Sequence, residues 1–361
     1  MYSFEPSDEQ KMLIEAVNRY AVNDLRKAAH DAEENKELPP KLISKGWELG
    51  VLQASIPETY GGFGERSAVT GALAAEELAC GDLAGALAVG APGLFALPIL
   101  ISGSEEQKGK YLPPVIEADW KSYTAALIEA SFDFDPNDLK TTARAESSDY
   151  VLTGEKTLVP FADKAEAMIV YAKLENGTRA FIVPKGTAGL KISEEREKWM
   201  GLNAIPFFKV TLDGVKVPQA DLLPGDFAPV LDASRVAVAA MAIGVAKAAF
   251  EYARDYAKDR DVFGVKVAQK QAIAFMLAEM ITEIEAIRLL VWEAAWALDN
   301  KKEDASQKAY LAVTGAIDTV MMVTDRAVQI LGGHGYIREH PVELWMRNGR
   351  GFATFTGLAM V

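Results

Sequence analysis

Along the chain the period of the apolar positions changes twice. The first third reads as helix. Ser7 is placed to cap a helix that runs through the twenties, with Glu9 in its acidic first turn. A second helix carries Leu42, Trp47 and Leu49 and stops near Gly50. Pro57 to Gly64 is a loop by its Pro and Gly content. Helices follow from about Ser67 to Ala79 and from about Leu83 to Leu100, and Ser104 opens another as a cap before Glu105 and Glu106. From about Ser122 to Leu223 short β-rich stretches alternate with turn signals: Tyr150–Leu152, Met168–Tyr171, Ala180–Val183, Leu190–Ile192 and Phe207–Leu212. Asn176–Gly177 and Asp213–Gly214 are hairpin dipeptides. The last third is helical again. Ile273, Met276, Leu277, Met280, Ile284, Ile287 and Val291 recur at spacings of three and four, in a helix of about 30 residues and roughly 45 Å. Leu231–Ala257 and Gln307–Leu331 are two further helices. The class is α+β: an N-terminal helical domain (1–121), a middle antiparallel β-domain (122–224) and a C-terminal helical bundle (225–361) of the kind that builds oligomer cores, with no internal repeat.

Composition narrows the function. Lys and Arg number 38 against 51 Asp and Glu, so the net charge is −13 and a phosphate backbone is repelled. One cysteine, Cys80, excludes a disulfide framework and a cysteine zinc site, and three histidines, His30, His334 and His340, exclude a His-rich metal site. The thiol count suits the cytoplasm. The opening MYSFEPSDEQ lacks the basic-then-apolar layout of an export signal. Gly85 to Ile101, the most apolar run, is too short and too interrupted to span a membrane and reads as buried helix.

Four segments, in this order, resemble the acyl-CoA dehydrogenase family. Pro57–Gly64 resembles P-E-x-Y-G-G-x-G, and Ser104–Pro113 resembles T-E-E-Q-K-x-x-Y-L-P. Arg260–Gly264 with the helix from Gln271 resembles R-x-x-F-G…Q, and Gln329–Tyr336 resembles Q-x-x-G-G-x-G-[FY]. The resemblance covers almost the whole chain. It implies the three-domain fold, FAD bound between subunits, acyl-CoA as substrate, and an electron-transferring flavoprotein as acceptor. Such enzymes remove two hydrogens across Cα–Cβ of a thioester, with a glutamate taking the α-proton and the β-hydride going to the flavin.

By the resemblance Arg260 pairs with the FAD pyrophosphate of a neighbouring subunit, Phe263 packs against the flavin and Gln271 bonds nearby. Gln329, Gly332 and Gly333 bring backbone close to the same cofactor. The plainer readings are a loop Arg in a surface ion pair and a helix C-cap at Gly332. His334 receives no ligand role. Asp232 and Arg235 are the positions that would contact the CoA arm and the reacting end of the acyl chain, or else they are first-turn helix chemistry.

The departures from the pattern fall on one side. Where the family reads M-R-D-A-K…Y-E-G-T-S-Q, this chain reads Met346–Arg347–Asn348–Gly349–Arg350 and Phe355–Thr356–Gly357–Leu358–Ala359–Met360. Thr356 therefore stands at the usual base, and Ser234 at the alternative base position beside Arg235. Threonine cannot take a carbon-bound proton without a partner base. The sequence ends one residue later, at Val361, before the helix the pattern leads one to expect. K-x-W-I-T-N is here Lys156–Thr157–Leu158–Val159–Pro160–Phe161, and Pro160 has neither hydroxyl nor N–H to offer a flavin. The family's T-E-P is Ile128–Glu129–Ala130. Three readings follow: the base-lacking subunit of a heteromer with a complete paralogue; an autonomous FAD enzyme with a relocated base such as Glu129; or an acyl-CoA-binding or assembly protein without flavin.

Overall fold

The computed structural model describes residues 5–175 and 177–361; residues 1–4 of the opening segment and Asn176 of the Asn176–Gly177 pair lie outside it. Serines placed by sequence cap the helices they precede. α1 (Asp8–Tyr20) carries a full capping box between Ser7 and Gln10. A π-helical turn, Ala21–Leu25, joins it to α2 (Arg26–Asn35), which ends at Lys36 with φ 56°. α3 (Pro40–Trp47) begins on proline, whose missing N–H costs nothing at a first turn. Ser67 caps α4 (Ala68–Gly81). The single helix expected from Leu83 to Leu100 is two, α5 (Leu83–Gly90) and α6 (Gly93–Ser102), bent by 52°. Pro92 lies in the break, because a proline there removes an N–H and collides with the preceding turn. α7 (Glu105–Val115) repeats the capping box with Ser104 and Gln107.

The middle of the chain forms a seven-stranded sheet of β1 (Thr124–Ala126), β2 (Thr142–Glu146), β3 (Asp149–Pro160), β4 (Ala167–Leu174), β5 (Gly177–Pro184), β6 (Leu190–Ile192) and β7 (Phe207–Pro218). The expectation of a wholly antiparallel domain needs correcting. β2–β3, β3–β7, β4–β5 and β6–β7 are antiparallel, but β4 runs parallel to both β1 and β2. The chain reverses between β2 and β3 and again between β3 and β4, so β4 returns in the direction of β2.

α8 (Ala228–Asp259), a two-residue hairpin of β8 (Asp261–Val262) and β9 (Val265–Lys266), α9 (Gln271–Asp299), α10 (Ala305–Leu331) and α11 (Val342–Gly349) complete the chain. α8 is the one helix among the described residues long and apolar enough to cross a membrane, but 83% of that stretch is buried inside the protein. It is the core helix of the bundle, packed on α4 and α10. Asp299 at the end of α9 accepts from the Ser67 hydroxyl at 2.9 Å and from the Ala68 and Val69 amides at 2.6 and 3.2 Å, tying the bundle to the N-terminal domain. The Arg347 guanidinium of α11 bonds the buried Glu33 of α2, which also accepts from the Asn203 amide at 2.8 Å. Beside it the Asn348 side-chain oxygen accepts from the Leu202 amide at 3.2 Å. That joint gathers helical and β regions at one point.

Candidate active site and cofactor edge

Two regions hold the candidate residues, and they differ in kind. The inner one lies between the sheet and α8. The Ser234 hydroxyl accepts from the Gly357 amide at 2.7 Å, which pins the 355–361 segment along α8. Gly357 adopts φ +101°, and a Cβ there would come within 2.8 Å of Leu127, so only glycine closes this contact. Phe355, Leu358 and Ala359 are buried. The cavity left beside Ser234 and Gly357 is about 10 Å³, far below the ~300 Å³ at which small-molecule sites begin. No carboxylate lines it. Its one phenol, Tyr171, is pushed above the ordinary tyrosine range by burial. Met360 also lines a second, largely apolar cleft of about 70 Å³, walled by α3 to α6 and by Val361.

Glu129 is not available as a relocated base. Its oxygens accept from the Lys140 amide at 2.7 Å, the Thr141 amide at 2.9 Å and the Lys156 ammonium at 2.8 Å. Burial raises the carboxyl's pKa, but the Lys156 and Thr141 hydrogen bonds outweigh it and hold the group below the usual carboxylate range. Burial pushes the Lys156 ammonium down to about 8 against the pull of Glu129. The pair is a structural joint between β1 and β3. Asp232 and Arg235 are likewise engaged. Three residues apart, they share one face of α8, opposite the turn position of Ser234. The Arg235 guanidinium bonds Asp232 at 3.0 Å and lies 5.4 Å over the Tyr310 ring, and the Ser306 hydroxyl donates to Asp232. Both residues face α10.

The segment resembling the flavin-ring contact is also internally satisfied. Leu158 and Phe161 take left-handed backbone, φ 58° and 52°, and both side chains are buried in the core shared with the bundle. The Leu158 amide donates to Glu197 at 2.6 Å and the Phe161 amide to the Pro206 carbonyl at 2.9 Å. Pro160 has no N–H. These residues offer no free donor and no exposed face to a flavin ring, so they do not fit one.

The outer region is built oppositely. Arg260, Phe263, Gln271, Gln329, Gly332 and Gly333 are all exposed. Among the described residues the Arg260 side chain has no hydrogen-bond or ion-pair partner. Phe263 stands at the tip of the β8–β9 hairpin, 93% exposed, with φ 54°, a conformation aromatic residues rarely adopt. Gly332 has φ +59°, and a Cβ at Gly264, Gly332 or Gly333 would meet nothing of this chain. An unpaired guanidinium, an open glycine turn and an exposed ring fit the phosphates and rings of a dinucleotide. The sequence signal for this edge was motif order; the structure adds that the chain does not use these residues itself. What sequence reasoning missed is a cluster behind the edge, in which Tyr252, Tyr256, His334 and His340 stack and bond together.

Comparison with known proteins identifies the family. Residues 7–119, 125–215 and 228–359 match the N-terminal, middle and C-terminal domains of acyl-CoA dehydrogenases. The chain is 34% identical over 368 residues to the caffeyl-CoA reductase–Etf complex subunit CarC of Acetobacterium woodii, covering 98% of this chain and 96% of that one. It is 34% identical to cyclohex-1-ene-1-carbonyl-CoA dehydrogenase of Syntrophus aciditrophicus, covering 98% and 87%. The butyryl-CoA dehydrogenase structure from Megasphaera elsdenii superimposes with a TM-score of 0.89 at 32% identity, covering 99% and 96%. These matches support FAD as the cofactor. The chain belongs to the acyl-CoA dehydrogenase family and is an acyl-CoA dehydrogenase-type flavoprotein.

Proposed function

We propose that this chain is the base-lacking subunit of a heteromeric acyl-CoA dehydrogenase, in which it completes the FAD site of a neighbouring, catalytically complete paralogue. The observation that carries the reading is the contrast in use: Arg260, Phe263 and the Gly332–Gly333 turn face outward, while Ser234, Leu158 and Pro160 are buried in the chain's own packing. Dehydrogenation needs a carboxylate at the acyl Cα and donors on the thioester carbonyl; FAD, when bound, supplies the hydride acceptor. Arg260 would hold pyrophosphate, Phe263 would cover a ring, and Gln271, Gln329, Gly332 and Gly333 would supply close backbone and amide contacts. In this chain Asp232 and Arg235 act by tying α8 to α10, and the acyl-CoA is held on the partner. Phe275, Leu289, Leu290 and Leu311 are exposed on α9 and α10 and suit burial between subunits. We infer an electron-transferring flavoprotein as acceptor and the cytoplasm as compartment, where the buried Cys80 thiol, pushed up to about 11 by burial, stays protonated.

The test is the visible spectrum of the chain purified alone and then with a co-expressed paralogue. A colourless chain that yields a yellow complex supports the reading. A stoichiometrically yellow chain, active with acyl-CoA by itself, overturns it.

A further inference from the structure

A third place in the molecule holds a donor that the chain leaves unused. Trp120 follows α7 and meets Phe161 edge-on, with ring centroids 5.4 Å apart. Its indole Nε1 is buried and has no hydrogen-bond partner among the described residues. The Trp47 indole, by contrast, donates to the Glu117 carbonyl at 3.0 Å. Trp120 lines a cavity of about 220 Å³ where the α2–α3 link, the β3–β4 turn and the 196–206 segment meet. Leu38, Ile43, Phe161, Ala204 and Pro206 form its buried, apolar wall. The backbone of that wall is already spent. The Ala204, Phe161 and Pro206 carbonyls accept from the Leu38, Lys164 and Phe161 amides at 3.3, 3.1 and 2.9 Å. The rim carries exposed charge: Lys164, Arg196 and Glu37. Arg196 Nη1 donates to the Lys36 carbonyl at 2.7 Å, while among the described residues no hydrogen bond or ion pair takes the Lys164 ammonium.

We propose that this cavity is a binding site for a small monocarboxylic acid with a flat apolar body, its carboxylate taken by the Trp120 N–H and the Lys164 ammonium. A buried N–H without an acceptor is costly, because it has given up water and gained nothing. A carboxylate oxygen restores the bond. A lone water serves less well, since it needs two to four polar partners and the apolar wall offers one donor. The wall selects the body. An apolar cavity of ~150 Å³ already admits benzene, so this one takes a single ring with a short substituent. Phe161 keeps its ring in the wall on left-handed backbone, φ 52°, a strain of the kind that persists at ligand sites. The rim selects the charge. Lys164 and Arg196 attract an anion, and Glu37 opposes a second negative charge on it. Part of the Arg196 fork is taken by Lys36, which removes the bidentate clamp that phosphate favours. The proposed dehydrogenation does not use this cavity, so the two readings stand or fall separately.

The experiment uses the full chain labelled with 5-fluorotryptophan, with sodium benzoate as the probe and fluorine NMR as the readout. Benzoate should shift one of the six tryptophan signals saturably, and that signal should be the one missing from Trp120→Phe. Calorimetry then compares affinities. Trp120→Phe keeps a ring in the wall and removes the N–H, and it should weaken benzoate several-fold. Lys164→Met, at an exposed position, should do the same with an unchanged circular dichroism spectrum. Benzamide, which has the ring without the charge, and inorganic phosphate, which has the charge without the ring, should both bind far more weakly than benzoate. The proposal is overturned by any of three results: no saturable shift of the Trp120 signal, benzamide or phosphate binding as tightly as benzoate, or unchanged benzoate affinity in either variant. Should Trp120→Phe fail to fold, Lys164→Met decides alone.

Discussion

The inner crevice and the outer edge of this molecule spend the same kinds of residue in opposite ways. Inside, the polar candidates are engaged by the chain itself: Ser234 by Gly357, Glu129 by Lys156, Asp232 by Arg235 and Ser306. Outside, Arg260 is unpaired and Phe263 is held exposed on strained backbone. A chain stabilises itself by satisfying polar groups and burying rings. Residues that do neither point to something beyond the chain. On the reading proposed above, the difference separates a region that has become core from one kept for an interface.

Activity should break the comparison first. If the chain is the base-lacking subunit, then alone, offered short, medium and bulky acyl-CoA substrates with a dye acceptor, it should turn over slowly or not at all, since loss of a general base commonly costs about 10²–10⁴-fold. Thr356→Glu should not restore full turnover, since Leu158, Pro160 and Phe161 still leave no donor for the flavin. Rapid turnover by the unaided wild-type chain would show that the inner crevice remains a working site.

The inner region should instead answer in stability. Glu129→Gln leaves a buried ammonium without its counter-charge and is expected to cost about 3–5 kcal/mol in denaturant unfolding. The pH dependence has a definite sign. Lys156 titrates near 8 when folded against 10.5 in its ordinary state, so between these values the unfolded chain binds more protons, and wild-type stability should rise with pH through that window. Glu129→Gln removes the partner that holds the ammonium's pKa up, and its rise should begin below pH 8. A stable Glu129→Gln variant that has lost only activity would return Glu129 to candidacy as a base.

How much of this was written in the sequence depends on whether a feature is local. Ser7, Ser67 and Ser104 signal helix starts because a cap is a contact three residues long. The readings of Thr356 and Pro160 as departures rest on motif register, which is linear and needs no fold. The parallel entry of β4 and the aim of Asp232 and Arg235 were not, since strand direction and the neighbour of a helix face are set by distant chain. The α5–α6 break could have been anticipated from Pro92. The His334–His340 stack could not, because its rings are brought together by the turn between them and by tyrosines some 80 residues earlier.

At the outer edge the expected effects are smaller and fall on assembly. Arg260→Ala should weaken FAD retention in the assembled complex by about 1.5–3 kcal/mol, the worth of a charge-assisted contact to phosphate. The lone chain's unfolding midpoint should not move, because among the described residues the Arg260 side chain has no partner to lose. Unchanged flavin occupancy after exhaustive dialysis would remove Arg260 from the cofactor edge.

Phe263 gives the smallest and most discriminating effect. Phe263 and Gly264, with φ 54° and 80°, form the two central positions of a turn whose preferred sequence is Asn-Gly. A left-handed phenylalanine costs roughly 1 kcal/mol, and its exposed ring recovers part of this only through Lys270, whose ammonium lies 5.9 Å away. Phe263→Asn should therefore stabilise the lone chain by about 0.5 kcal/mol, read as a small rise in denaturation midpoint. The same change should weaken cofactor retention in the complex, because the ring that strained the hairpin is the one presented outward. Opposite signs in the two measurements are what a residue kept for a partner predicts. If Phe263→Asn destabilised the lone chain and left the complex untouched, the ring would belong to the chain's own packing, and the contrast between edge and crevice would fail at its most exposed residue.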